Sequence, residues 1–192
     1  MKKCSRPSPI DILFSAYQRS SGDISSSSLL SDLSRCGWES LKVFFHEAVP
    51  EENSVPGAVI AIQSFGDFLG FHSHLYILGT DGCFYGDGMF RVAPRFHTKE
   101  LEEIFRHKVF RMLLSKGKIT ENLVDMLMKW RHSGFNAFSG TRIQPGNEEA
   151  MENLARYTCP PMFVADCPYF FLSGENVLYP GGIKGHLSIK GW

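Results

Sequence analysis

The sequence predicts an α+β fold, a central antiparallel sheet with helices packed on one of its faces. Three observations carry that reading. Val55 to Phe65 is dense in β-branched and apolar residues, as a buried strand is. Gly70 to Leu78 roughly alternates polar and apolar residues, as a half-buried strand does. Thr98 to Gly117 places Leu101, Ile104, Phe105, Val109, Met112 and Leu113 at helical spacing. The two strand patterns are joined by a short Gly-containing loop, so Val59 to Phe65 is expected to pair with His74 to Leu78.

The remaining elements follow in chain order. Apart from apolar positions between Ile10 and Tyr17, residues 1–35 are polar and rich in serine, which predicts a poorly ordered arm. From Gly37 through Ala48, Trp38, Leu41, Phe44 and Phe45 recur every three to four residues and predict a short amphipathic helix. Asp81-Gly82 and Asp87-Gly88 are hairpin signals on either side of Cys83-Phe84-Tyr85, so a meander of short strands is expected through Val92. Thr98 is the expected cap of the next helix. Thr120 is the expected cap of a second, with Leu123, Val124, Leu127, Met128 and Trp130 inside. Phe135 to Phe138 reads as a short strand, and a third helix runs from Gly146-Asn147 to Tyr157, where Pro160-Pro161 stops it. Only weak strands are legible beyond, near Tyr169 to Leu172 and Val177 to Tyr179. The layout is a low-complexity arm over 1–36, a folded domain over 37–161 and a weakly structured tail over 162–192.

With 192 residues, of which 43% are hydrophobic and 13% aromatic, the chain has enough apolar surface for one folded domain. Its 20 basic and 20 acidic residues cancel, so overall charge does not announce a nucleic-acid partner. The distribution is uneven: between Arg91 and His132 ten Lys and Arg face five Asp and Glu, a local net of +5. That stretch is either a phosphate-facing surface or a solvated amphipathic helix. Five cysteines without a CxxC pair support neither a zinc ribbon nor a disulfide framework. No apolar run reaches the length of a membrane span and no signal peptide is legible, so the sequence predicts a soluble cytoplasmic protein.

His72, His74 and Tyr76 are spaced two apart on the alternating strand, so all three are expected on one face, with Phe71, Leu75 and Ile77 on the other. Alternate side chains stand about 6.6 Å apart along a strand and can lean toward one divalent ion. The bland alternative is a strand that happens to expose two histidines, and spacing alone favours it. Gln63, on the neighbouring strand, is either an oxygen ligand or a buried polar residue satisfied by backbone.

Gly57 to Gly70, Phe71-His72-Ser73-His74-Leu75-Tyr76, Thr80-Asp81-Gly82 and Phe105-Arg106-His107-Lys108-Val109-Phe110 resemble the rolling-circle transposases of the IS ninety-one and IS eight-oh-one type. So do Gly117-Lys118-Ile119, Trp130 to Phe135, Arg142 to Gly146 and Asn153-Leu154-Ala155-Arg156-Tyr157, and the likeness spans roughly Trp38 to Tyr157. The resemblance implies an HUH-nuclease-like domain that transposes DNA. Such a domain binds single-stranded element ends and cleaves and rejoins them through a phosphotyrosine, with a divalent metal, Mg²⁺ or Mn²⁺, at a pair of histidines. His74 and Leu75 match the start of that histidine motif, and Tyr76 stands where its second histidine belongs. His72 and Ser73 replace the Asn and Pro that precede it. The metal donors implied are then His74, His72, Tyr76 and Gln63. A neutral phenol, with a reference pKa of about 10, is a poor ligand. Tyr157 matches the nucleophile region, and without the resemblance it reads as a helix-end tyrosine packed under the sheet. Two functions are weighed: a transposase, in degenerate form with impaired activity, and a non-catalytic DNA-binding remnant of a mobile element. A globular fragment without a DNA role is a third.

Overall fold

The computed structural model describes residues 9–16, 27–65, 71–94, 97–130, 134–140, 142–144, 147–150, 152, 169–173 and 176–178. Its centre is a strand pair of the kind the sequence predicts. Strand β2 (Val55–Phe65) runs antiparallel to β3 (Phe71–Tyr85), with Val59 opposite Leu78, Ala61 opposite Tyr76 and Gln63 opposite His74. Around them the described residues form a seven-stranded antiparallel sheet. The other strands are β1 (Pro9–Ala16), β4 (Met89–Val92), β5 (Phe135–Ser139), β6 (Tyr169–Ser173) and β7 (Asn176–Leu178). Their order is β5-β1-β3-β2-β6-β7, and β4 pairs with the far end of β3.

Alternation fixes which face is buried. Leu75 and Ile77 on β3 lie beside Ile12 and Phe14 on β1 and beside Ile60 and Ile62 on β2, and all six are buried. Two helices cover that face: α1 (Ser27–Ala48) and α2 (Thr98–Ser115). Helix α1 approaches the sheet at Gly37, where an added Cβ would meet the Leu75 and Ile77 methyls at 3.4 Å. Helix α2 docks through Phe105, whose ring stacks on Phe14 with centroids 4.3 Å apart.

Four expectations are corrected. Pro9–Ala16 is no arm: as β1 it sits between β3 and β5, and its neighbours supply the pairing that its own sequence does not advertise. The first helix begins at Ser27, ten residues before Gly37. Leu29 and Leu33 extend its buried stripe backward, and the Ser34 and Ser40 hydroxyls donate to the carbonyls of Leu30 and Cys36 four residues earlier. Asp81-Gly82 makes no turn, since β3 runs through it, and the hairpin forms at Gly86 to Gly88, where both glycines have positive φ (51° and 87°). At the start of α2, Thr98 is already helical and His97 holds the cap position without a side-chain cap bond.

Helix α3 (Glu121–Met128) is capped as expected, Thr120 accepting from the Leu123 amide, but it buries none of its residues. Leu123, Val124 and Leu127 are half-buried, while Met128 and Trp130 are exposed. The helix expected from Gly146-Asn147 is described only at Glu148 to Ala150 and Glu152, and Asn147 caps it by accepting from the Ala150 amide at 3.0 Å.

Burial pushes the Cys36 and Cys83 thiols up to about 11. Burial acts first at Cys36, reinforced by Asp32. A thiol raised in the folded state stays protonated there while the unfolded chain ionises near 9, so the contribution is intact below pH 9 and is lost as pH climbs through about 11. Urea midpoints are therefore expected to fall between pH 9 and 11, and replacing both cysteines by Ala should flatten that decline.

Candidate functional site

The face of the sheet opposite α1 and α2 carries the residues singled out by the sequence. On β3 the side chains of His74, Tyr76 and Leu78 alternate with the buried Leu75 and Ile77 and are half-buried. The His74 and Tyr76 rings have centroids 6.3 Å apart, with planes inclined at 42°. Across the sheet His74 is flanked by Ser15 and Gln63, and Tyr76 by Leu13 and Ala61. Among the described residues no helix packs on this face.

Thr80 holds the strands in register at its end of the face. Its hydroxyl accepts from the Gly57 amide at 2.9 Å and donates to the Gly82 carbonyl at 2.8 Å. That anchor lies beside the register shift between Pro56 and Ala58, so the pairing from Ala58 to Gln63 starts from a fixed point. A second register shift lies between Gln63 and Phe65. His72 lies there on β3, and the side chains of both His72 and Gln63 fall outside the described residues.

Asp81 points the other way and is buried. Arg142 reaches it, Nε to Oδ2 at 3.5 Å, and also donates from Nη2 to the Ala93 carbonyl at 2.9 Å. The Ala93 amide in turn donates to the Asp81 carbonyl at 2.9 Å. These contacts pin Arg142, five residues before the Asn147 cap, against the β3–β4 hairpin, so the chain approaches the helix that Asn147 caps from an anchored position. Tyr157 itself lies outside the described residues.

Of the predicted donors, the structure therefore brings together His74 and Tyr76 as side chains and Gln63 as a backbone neighbour of His74. An imidazole beside a neutral phenol is one good divalent-ion donor and one poor one. Among the described residues no three His, Cys, Asp or Glu side chains gather as a metal site would need, so the donors described do not by themselves fit a divalent ion. Sequence reading missed Phe138, which lies on the same face opposite Leu13 and is 58% exposed. The signal available was alternation, because its neighbour Ala137 is buried on the other face, opposite Phe14 of β1.

The family described as "Putative transposase" matches residues 57–166, more than half of the chain. The chain belongs to this transposase family. The matched stretch begins within β2 and contains His74, Tyr76 and Tyr157. No curated protein and no solved structure matches the chain. A role in transposition follows from membership, with DNA as the partner it implies. Among the described residues no helix is long and apolar enough to cross a membrane.

Proposed function

We propose that this transposase-family chain binds single-stranded DNA on the sheet face that carries His74 and Tyr76 and that its strand-transfer site is degenerate. In the chemistry the IS ninety-one resemblance implies, the Tyr157 oxygen attacks a phosphodiester in line. The bond from phosphorus to the tyrosyl oxygen forms as the bond to the 3′ oxygen breaks, and the departing oxygen takes up a proton to leave a 3′ hydroxyl. The 5′ phosphate stays on the protein as a tyrosyl ester, which a 3′ hydroxyl later reverses. This chain supplies an imidazole at His74 to face the phosphate and two aromatic side chains on the same face, the half-buried Tyr76 and the exposed Phe138, against which unpaired bases can stack.

The observation that carries the degenerate reading is Tyr76. Its phenol stands two residues after His74 on the same face, with ring centroids 6.3 Å apart, where the resemblance calls for a second imidazole. Loss of a direct donor costs more than the roughly 10- to 100-fold of affinity that a supporting group costs. The test uses purified protein, labelled single-stranded oligonucleotides from candidate element ends, and Mg²⁺ or Mn²⁺. The readout is a covalent protein–DNA adduct on a denaturing gel. The unaltered chain is expected to give a trace or nothing, Tyr76→His to give an adduct, and Tyr76→His with Tyr157→Phe to lose it. A strong adduct from the unaltered chain that vanishes in Tyr157→Phe would show an intact site. Single-strand binding without an adduct in any variant would favour the non-catalytic remnant.

A further inference from the structure

The sheet has a second side, and its chemistry differs. Helix α2 buries Leu101, Phe105, Val109 and Leu113 against the sheet and turns Glu103, His107, Arg111 and Ser115 to solvent. From Ile104 to Thr120 the sequence holds five Lys and Arg and no Asp or Glu, so the surface becomes uniformly basic toward the end of α2 and into the turn after it. Arg111 and Lys118 are exposed and Lys108 half-buried.

Helix α1 adds to that surface. Asp32, near the start of α1, meets Lys116 at the end of α2 at 2.6 Å, so the first turns of α1 lie beside the last turns of α2. This brings the exposed Arg35 of α1 alongside the same part of α2. Two carboxylates of α1 are ion-paired, Asp32 with Lys116 and Glu39 with Lys42, each at 2.6 Å. Among the described residues Arg35, Lys108, Arg111 and Lys118 have no ion-pair partner.

We infer that the helix-side surface formed by Arg35, Lys108, Arg111 and Lys118 is a second DNA site that holds the phosphate backbone of duplex DNA, on the side of the sheet away from His74. It rests on the reading of this chain as a DNA-binding transposase. The occupant follows from what the surface offers and lacks. Duplex DNA presents about one negative charge per 1.7 Å, which a rigid cluster of cations complements without reading bases. Single strands are held by charge together with aromatic platforms. Along α2 no large apolar side chain is exposed, whereas Phe138 is exposed on the opposite face. Two faces of one sheet thus separate a strand to be handled from the duplex that flanks it.

The experiment measures fluorescence anisotropy of the full chain with a labelled random-sequence duplex and with its single strand, between 50 and 200 mM NaCl. Arg35→Ala/Arg111→Ala/Lys118→Ala is expected to weaken duplex binding about tenfold or more at the lower salt and to lessen the slope of log affinity against log salt by about 3. Single-strand affinity should change far less. Glu103→Gln, which removes the acid from the same face of α2, should tighten duplex binding. Unchanged duplex affinity and slope in the triple variant, with its thermal midpoint retained, would overturn the assignment, as would equal losses on duplex and single strand. Failure of the sheet-face reading looks different: Phe138→Ala would leave single-strand binding untouched while the duplex results stood.

Discussion

Gly82→Ala is expected to destabilise the fold by about 3 kcal/mol or more, a large part of what a domain of this size possesses. Gly82 pairs with Val92 where β4 joins β3. A Cβ there would overlap the Arg91 carbonyl oxygen outright and lie 2.8 Å from Arg91 C and Val92 Cα. These are backbone atoms, which cannot swing aside as a side chain can. The hairpin has to lift away, and with it the Ala93 contacts to Asp81 and Arg142. Gly79→Ala on the same strand is the control, since its Cβ would meet the Gly57 carbonyl at 3.7 Å and the Ile12 methyl at 3.8 Å, ordinary packing distances. Urea unfolding followed by circular dichroism should separate the two, with Gly79→Ala within about 1 kcal/mol of the parent. A loss of similar size in both would mean that glycine in this strand matters through backbone entropy alone.

The same glycine explains part of what the sequence hides. Asp81-Gly82 and Asp87-Gly88 look alike as dipeptides, yet only the second turns the chain. The first is glycine for lack of room and aspartate because Arg142 reaches it from sixty residues away, neither of which is a local property. Strands β2 and β3 were legible because their patterns are strong enough to stand alone. Strand β1 was not, because Pro-Ile-Asp-Ile-Leu-Phe-Ser-Ala acquires its meaning only between β3 and β5. The start of α1 was masked by its serines, of which Ser34 turns its hydroxyl back onto the Leu30 carbonyl, while the leucines between them kept the helical period.

For the candidate site, alternation was enough to place His74 and Tyr76 on one face and Leu75 and Ile77 on the other. Period 2 says nothing beyond a register shift, and one lies beside His72. The +5 charge between Arg91 and His132 was legible as a number, but not which cations share a surface. Sorting Arg111 from the buried stripe needs only the helical period. Bringing Arg35 alongside needs the start of α1 to lie beside the end of α2, a contact between segments eighty residues apart in sequence, as Asp32 and Lys116 show at 2.6 Å.

Phe105→Ala is expected to cost about 3 to 5 kcal/mol, the range for removing a large side chain from a core that cannot collapse. Phe105 is fully buried. Its ring stacks on Phe14 and meets the edge of Phe135 at 6.0 Å, while Phe110 meets Phe135 at 5.3 Å. One residue thus ties α2 to β1 and β5, the strand pair whose other face carries Leu13 and Phe138. Removing it loosens the helix layer first, since β2 and β3 keep their own pairing and their cover from α1. Near its thermal midpoint the variant should therefore lose duplex binding, which depends on α1 and α2 lying side by side, at a lower temperature than it loses single-strand binding. Anisotropy recorded on both probes across a temperature ramp checks the order. Simultaneous loss of both would mean that the layers unfold as one unit and that α2 has no separable part in holding the basic surface.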